Sequence, residues 1–245
     1  MNTVEFGQEN REVVILIHGG GLSWWNFRQE AELLSGSYHV VLPILDGHAG
    51  SDEAFISIEE NADRIIAFIE SRFGGSVFLI GGLSLGAQIL LEILSKRHDI
   101  CRHAIVESAS VIPSRTTNTL IAPAVLLSYS LIQKEWFSRM QFRYLRIRND
   151  LFDDYYRDTS KITKTSMIAF LRANTAYDMK PGLAKCRAQI RIVVGGREDR
   201  RMLRSAEKMH RLLRCSVLEI KKGMRHGEYC VNHPEQYVKD LLENA

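Results

Sequence analysis

The stretch Val77-Phe78-Leu79-Ile80-Gly81-Gly82-Leu83-Ser84-Leu85-Gly86-Ala87-Gln88 decides how this chain is read. An apolar run with the composition of a buried strand leads through a Gly-x-Ser-x-Gly turn into an amphipathic segment, predicted as a helix over 85–97. Glycines two residues to either side of Ser84 let the strand and helix backbones approach closely, so the serine occupies a sharp turn with its hydroxyl exposed. The helix beyond it directs its N-terminal dipole at any negative charge that develops there. The pentapeptide alone is a weak signal. Between such a strand and such a helix it points to Ser84 as a nucleophile.

Outward from this turn, short runs rich in Val, Ile and Leu alternate with longer amphipathic stretches, as when crossover helices bury parallel strands on both faces. Strands are predicted at 13–17, 39–42, 77–80, 104–106, 190–194 and 217–220. Ser57-Ile58-Glu59-Glu60 forms a capping box, and Ile58, Ala62, Ile65, Ile66 and Ile69 then share one helical face, predicting a helix that ends near Gly74-Gly75. Further helices are predicted over 202–213 and from Pro234 to Leu242. The fold class is α/β, a mostly parallel central sheet flanked by helices. Residues 112–189 break the alternation, since a βαβ crossover needs only about a dozen residues. Helix-like apolar patches such as Val125, Leu126, Leu127 and Leu131 predict a mostly helical cap there, inserted into a core made of 1–111 and 190–245.

Composition narrows the function classes. With 245 residues, 45% apolar and 25% charged, the chain can bury one substantial core. Its 32 basic and 29 acidic side chains leave a net charge of +3 without the tracts of Lys and Arg that phosphate backbones attract, so nucleic acid is not an expected partner. Cys101, Cys186, Cys215 and Cys230 lie far apart, with no CxxC pair and no zinc-ligand spacing, which predicts reduced thiols, no metal and a cytoplasmic protein. There is neither a basic-then-apolar N-terminal segment nor a run of about eighteen apolar residues, so no stable membrane insertion is expected. The glycines at 19–21 carry no GxGxxG pattern or Walker lysine, and no cofactor is expected. The sequence leaves the oligomeric state open.

Beyond the elbow, four segments carry a resemblance to the α/β-hydrolase family that spans nearly the whole chain outside the insertion. They are Val14-Ile15-Leu16-Ile17-His18-Gly19-Gly20-Gly21, Leu42-Pro43-Ile44-Leu45-Asp46-Gly47-His48-Ala49-Gly50-Ser51, Val193-Val194-Gly195-Gly196-Arg197-Glu198-Asp199 and Gly223-Met224-Arg225-His226-Gly227-Glu228. The first resembles the family's strand and oxyanion loop, which implies that the backbone N–H groups of Gly20 and Leu85 form the oxyanion hole. The second is similar to a Pro-x-x-x-Gly-His-Gly-x-Ser stretch, with Ala49 where a glycine is usual, and His48 is expected to brace the turn rather than to catalyse. The third implies Asp199 as the triad acid. Glu198 competes if the turn is offset by one residue, and Glu107, at the end of an earlier strand, is a more distant candidate. The fourth implies His226 as the base, its one nearby competitor being His233, which Pro234 ties to the final helix. His39, His98, His103 and His210 fall in or beside regular elements, where packing or surface roles are expected. The order Ser84, Asp199, His226 is the order of this fold.

The resemblance implies two-step acyl transfer on a small-molecule substrate, with His226 taking the proton of Ser84 and water releasing the acyl group. A serine at the elbow argues against haloalkane dehalogenase and epoxide hydrolase chemistry, for which the family places an aspartate there. The expected activity is hydrolysis of a carboxylic ester or thioester of a small to medium acyl group. Alternatives are a carbon-carbon bond hydrolase or lyase with the same triad, and a ligand-binding member of the fold without catalysis. Residues 111–189 hold 13 Lys and Arg against 6 Asp and Glu, a net +7, which leaves −4 on the remainder. Two readings of that charge stay open: selection of an anionic acyl group, or solvated helix faces.

Overall fold

Seven strands form one sheet in the order β1-β3-β2-β4-β5-β6-β7 in the computed structural model, which describes residues 1–242. They are β1 (Thr3–Phe6), β2 (Val13–Ile17), β3 (His39–Pro43), β4 (Val77–Leu83), β5 (Cys101–Glu107), β6 (Gln189–Gly195) and β7 (Ser216–Lys221). β1 pairs antiparallel with β3, and every other pairing is parallel. The parallel strands lie where the apolar runs predict them. β1 is the one strand not predicted, because its four residues are only half-buried at the sheet edge and carry no distinctive periodicity.

Alternation along each strand divides the apolar side chains between two cores. Val13, Ile15 and Ile17 of β2 point into one, together with Ile65 and Ile69 of a helix and Ile89 and Ile93 of another. Val14 and Leu16 point into the other, with Trp25, Phe27 and Tyr237. The continuous Val-Val-Ile-Leu-Ile run is therefore explained by burial on both faces, each fully buried aliphatic side chain contributing about 1.5–3 kcal/mol.

The helices that cover the sheet are α1 (Arg28–Leu34), α2 (Ile58–Phe73) and α3 (Leu85–Lys96). Ser57 caps α2 by accepting from the Glu60 N–H at 3.0 Å, and Gly74, at φ +67°, ends it in the left-handed conformation that glycine adopts without steric cost. Between β5 and β6 the regular elements are all helical, the longest being α4 (Arg115–Ile132), α5 (Glu135–Leu145), α6 (Phe152–Thr159) and α7 (Lys164–Ala176). α8 (Arg200–Leu212) follows β6, and α9 (Glu228–Asn232) and α10 (Pro234–Leu242) follow β7.

The insertion is anchored to the core by polar contacts as well as packing. The Trp25 indole N–H donates to Asp158 at 2.9 Å, and the Thr159 hydroxyl donates to the Gly21 carbonyl at 3.1 Å. The Asn174 side-chain amide of α7 donates to Gln88 Oε1 of α3 at 2.9 Å. Phe170 of α7 lies against the His48 ring, with centroids 4.9 Å apart.

Candidate active site

Ser84 is the single residue between β4 and α3, with φ +53° and ψ −109°, a backbone conformation that non-glycine residues seldom adopt. The close approach that forces this turn is visible at its two glycines. A Cβ on Gly82 would sit 2.6 Å from the Gly86 carbonyl oxygen, and one on Gly86 would collide with the Ile17 carbonyl of the neighbouring strand. The turn is pinned by the Ser84 N–H, which donates to the Glu107 carbonyl at 2.9 Å.

The Ser84 hydroxyl lies 2.9 Å from His226 Nε2, and His226 Nδ1 lies 2.7 Å from Glu198 Oε2. A carboxylate can only accept, so Nδ1 carries the proton and Nε2 is left to receive that of the serine. The second Glu198 oxygen accepts from the Ser108 hydroxyl and from the Gly195 N–H, both at 2.7 Å. These bonds fix the carboxylate, which is almost wholly buried, while the imidazole keeps an open side toward the pocket. Crowding by protein atoms disfavours the charged imidazolium, but the hydrogen bond and charge of Glu198 outweigh it, so the His226 pKa is raised above its ordinary value.

The carboxylate that meets the His226 imidazole is thus that of Glu198, one residue before the expected Asp199. Asp199 is the exposed N-cap of α8 and accepts from the Met202 N–H at 2.9 Å, which satisfies a helix-end donor; its charge adds to the lift on His226, but it forms no hydrogen bond with the imidazole. The turn after β6 closes with the Glu198 N–H on the Gly195 carbonyl at 3.1 Å. That turn presents residue 198, not 199, on the His226 side. Glu107 does not reach the imidazole either: its carboxyl is buried, accepts from the Cys230 N–H at 3.3 Å, and is pushed up to about 7 by burial. His233 is exposed between α9 and α10. Ser108, which completes the Glu198 cradle, had no signal of its own in the sequence.

The loop after β2 is held by two buried histidines. His18 donates from Nδ1 to the Gly19 carbonyl at 2.9 Å and accepts the Leu45 N–H at Nε2, 3.1 Å away. His48 donates from Nδ1 to the Asp46 carbonyl and accepts the Gly21 N–H, each at 3.0 Å. Burial lowers His18 to about 3 and His48 to about 4, so both rings are neutral over the physiological range. His48 is the brace expected of it, although what it braces is the glycine loop rather than only its own turn. Gly20 comes close to the first residue of α3: a Cβ there would lie 3.4 Å from the Leu85 side chain. Neither the Gly20 nor the Leu85 N–H has a protein acceptor among the described residues.

Ser84, His226 and Gly20 open into a cleft of about 80 Å³ at the carboxyl ends of the strands. Its walls are largely apolar, with Leu22 and Leu83 from the core and Leu145 and Ile147 from the insertion, and Arg146, Glu228 and Asn232 add polar groups. The arrangement offers a serine oxygen, a base to deprotonate it and a largely dry wall beside them.

The sequence matches the alpha/beta hydrolase family over residues 14–240. No curated protein matches the chain. Among solved structures it is similar to the enol-lactonase from Burkholderia xenovorans LB400, with 12% identity over 99% of this chain and 95% of that one and a TM-score of 0.82. The esterase from Exiguobacterium antarcticum gives 18% identity, 99% and 94% coverage and a TM-score of 0.82. A thermophilic esterase from Thermogutta terrifontis gives 17% identity, 99% and 91% coverage and a TM-score of 0.78. At these identities the likeness is one of fold.

Proposed function

Because the chain belongs to the alpha/beta hydrolase family, we propose that it hydrolyses a carboxylic ester or thioester of a small to medium acyl group through an acyl-Ser84 intermediate. The observation that carries this reading is the unbroken relay from the Ser84 hydroxyl through His226 to the cradled Glu198, opening on the apolar cleft. In the first step His226 takes the serine proton as the oxygen adds to the carbonyl carbon, and then returns it to the leaving alcohol or thiol. In the second, the same base draws a proton from water, which attacks the acyl carbon and frees the serine. Glu198 holds the imidazole in the working tautomer and stabilises its positive charge. The N–H groups of Gly20 and Leu85 receive the oxyanion, a role supported by their closeness and lack of other acceptors. One such donor is worth about a hundredfold to a thousandfold in rate. In this reading the insertion of residues 112–189 is the cap, and the volume of the cleft favours an acyl group of modest size.

A fluorophosphonate probe and p-nitrophenyl butyrate test the proposal together. The wild type is expected to be labelled on Ser84 and to release p-nitrophenol, and Ser84→Ala to do neither. Equal turnover by the two proteins would remove Ser84 from the mechanism. Labelling of Ser84 without turnover of any ester or thioester would favour carbon-carbon bond cleavage by the same serine.

A further inference from the structure

The cap carries the protein's most exposed apolar surface, and the catalytic reading makes no use of it. From Thr116 to Gln133 no residue is charged, yet α4 does not bury most of this stretch. Leu120, Leu127 and Leu131 fall within an arc of about 40° on its outer side, and Leu127 is 82% exposed. Across the two-residue connection Gln133-Lys134, α5 repeats the pattern with Trp136 (62% exposed), Met140 and Tyr144 (80%), four residues apart on one stripe. Isolated exposed leucines need no explanation, but two exposed apolar stripes on consecutive helices do.

The unpaired charges around this face are of one sign. Between residues 115 and 146 there are five Lys and Arg and one acid, Glu135, which Arg139 neutralises across one helical turn. Arg115, Lys134, Arg143 and Arg146 are exposed and form no ion pair among the described residues. A second copy of the chain laid on the same face would bring four like charges against these four, which disfavours self-association. A surface that is negative and apolar beneath suits them. Trp and Tyr at the rim, aliphatic side chains between and cations around them are what the boundary of an anionic bilayer accommodates.

We propose that the outer face of α4 and α5 docks the protein peripherally on an anionic phospholipid bilayer. No helix among the described residues is long and apolar enough to cross a membrane, so the contact lies in the headgroup region. Leu145 and Arg146, the next residues after Tyr144, line the cleft of Ser84. Docking would therefore set the cleft mouth beside the lipid surface. The inference rests on the exposed face alone and holds whatever bond the site cleaves.

Co-sedimentation tests it, using the full chain with vesicles of phosphatidylcholine alone or with about 30% phosphatidylglycerol. Binding is expected only to the mixed vesicles, weakening on the order of tenfold as KCl rises from about 0.1 to about 0.5 M. Leu127→Glu/Trp136→Glu and Lys134→Glu/Arg143→Glu should each weaken it on the order of tenfold or more. All four positions face solvent, so p-nitrophenyl butyrate hydrolysis without vesicles should be unchanged in both variants. Brominated lipid should quench the tryptophan fluorescence of the wild type but not that of Trp136→Phe, which keeps buried Trp25 and half-buried Trp24. The proposal is overturned if wild type stays in the supernatant with mixed vesicles, or if both variants bind as wild type does. It is equally overturned if sedimentation equilibrium finds a dimer that Leu127→Glu/Trp136→Glu dissociates, which would assign the face to a second copy.

Discussion

Glu198 and Asp199 are adjacent carboxylates with different work, and the difference is measurable. Glu198→Gln keeps the shape but loses the charge and the fixed tautomer, so kcat should fall by about a hundredfold to ten-thousandfold. Asp199→Ala should keep kcat within a few-fold and cost about 1 kcal/mol in urea unfolding, through the lost cap of α8. Retained activity in Glu198→Gln with loss in an Asp199 variant would reverse the assignment. In the proposed mechanism His226 must be neutral to act, and its pKa is raised by Glu198, so kcat/KM should rise with pH through a value above that of a free imidazole. In Glu198→Gln that rising limb should move to lower pH. Residue 198 was only a competitor in the sequence, which implied Asp199 as the acid. What selected it was the Gly195 turn and Ser108, and Ser108 comes from a different strand 90 residues away.

At the scale of elements, the two histidines turn a glycine loop into a rigid part. Replacing His48 by Leu leaves the Gly21 N–H and the Asp46 carbonyl without their partner, at a cost of about 1–3 kcal/mol for each buried group left unsatisfied. Thermal unfolding should report that loss, and kcat should drop while fluorophosphonate still reaches Ser84. An unchanged melting temperature would mean that the loop holds itself. The parallel strands and α2 were legible because apolar runs, capping box and terminal glycine agree. The ends of strands were less so: Gly81 and Gly82 look like turn residues, yet they lie inside β4, where a Cβ on Gly81 would crowd Leu16 at 2.8 Å. Helix by helix, the insertion could not be divided from sequence, since its apolar residues serve packing between helices and an exposed outer face alike. β1 had too few residues to impose a period, and its pairing with β3 is a tertiary fact.

Over the whole molecule, two buried carboxyls make stability depend on pH. Burial pushes Glu30 up to about 8 and Glu107 up to about 7, from an ordinary 4.5. A carboxyl raised in this way binds its proton more tightly folded than unfolded. Its contribution is complete below about 4.5 and is lost as pH climbs through the folded value. Buried His18 and His48, lowered to about 3 and about 4, act in the opposite direction up to the ordinary 6.5 and offset the carboxyls there. A net decline should therefore appear between about pH 6.5 and 8, and Glu30→Gln, which cannot ionise, should flatten part of it and melt higher than wild type above pH 8. A wild-type melting temperature that climbs steadily over this interval would contradict the burial argument. The placement of the site has a consequence of another kind. Ser84, Glu198 and His226 all stand on loops leaving β4, β6 and β7, and the insertion supplies none of them. On the proposed mechanism reactivity and selectivity are therefore separate inheritances: exchanging the stretch between β5 and β6 for another would change the substrate range while the reaction is kept.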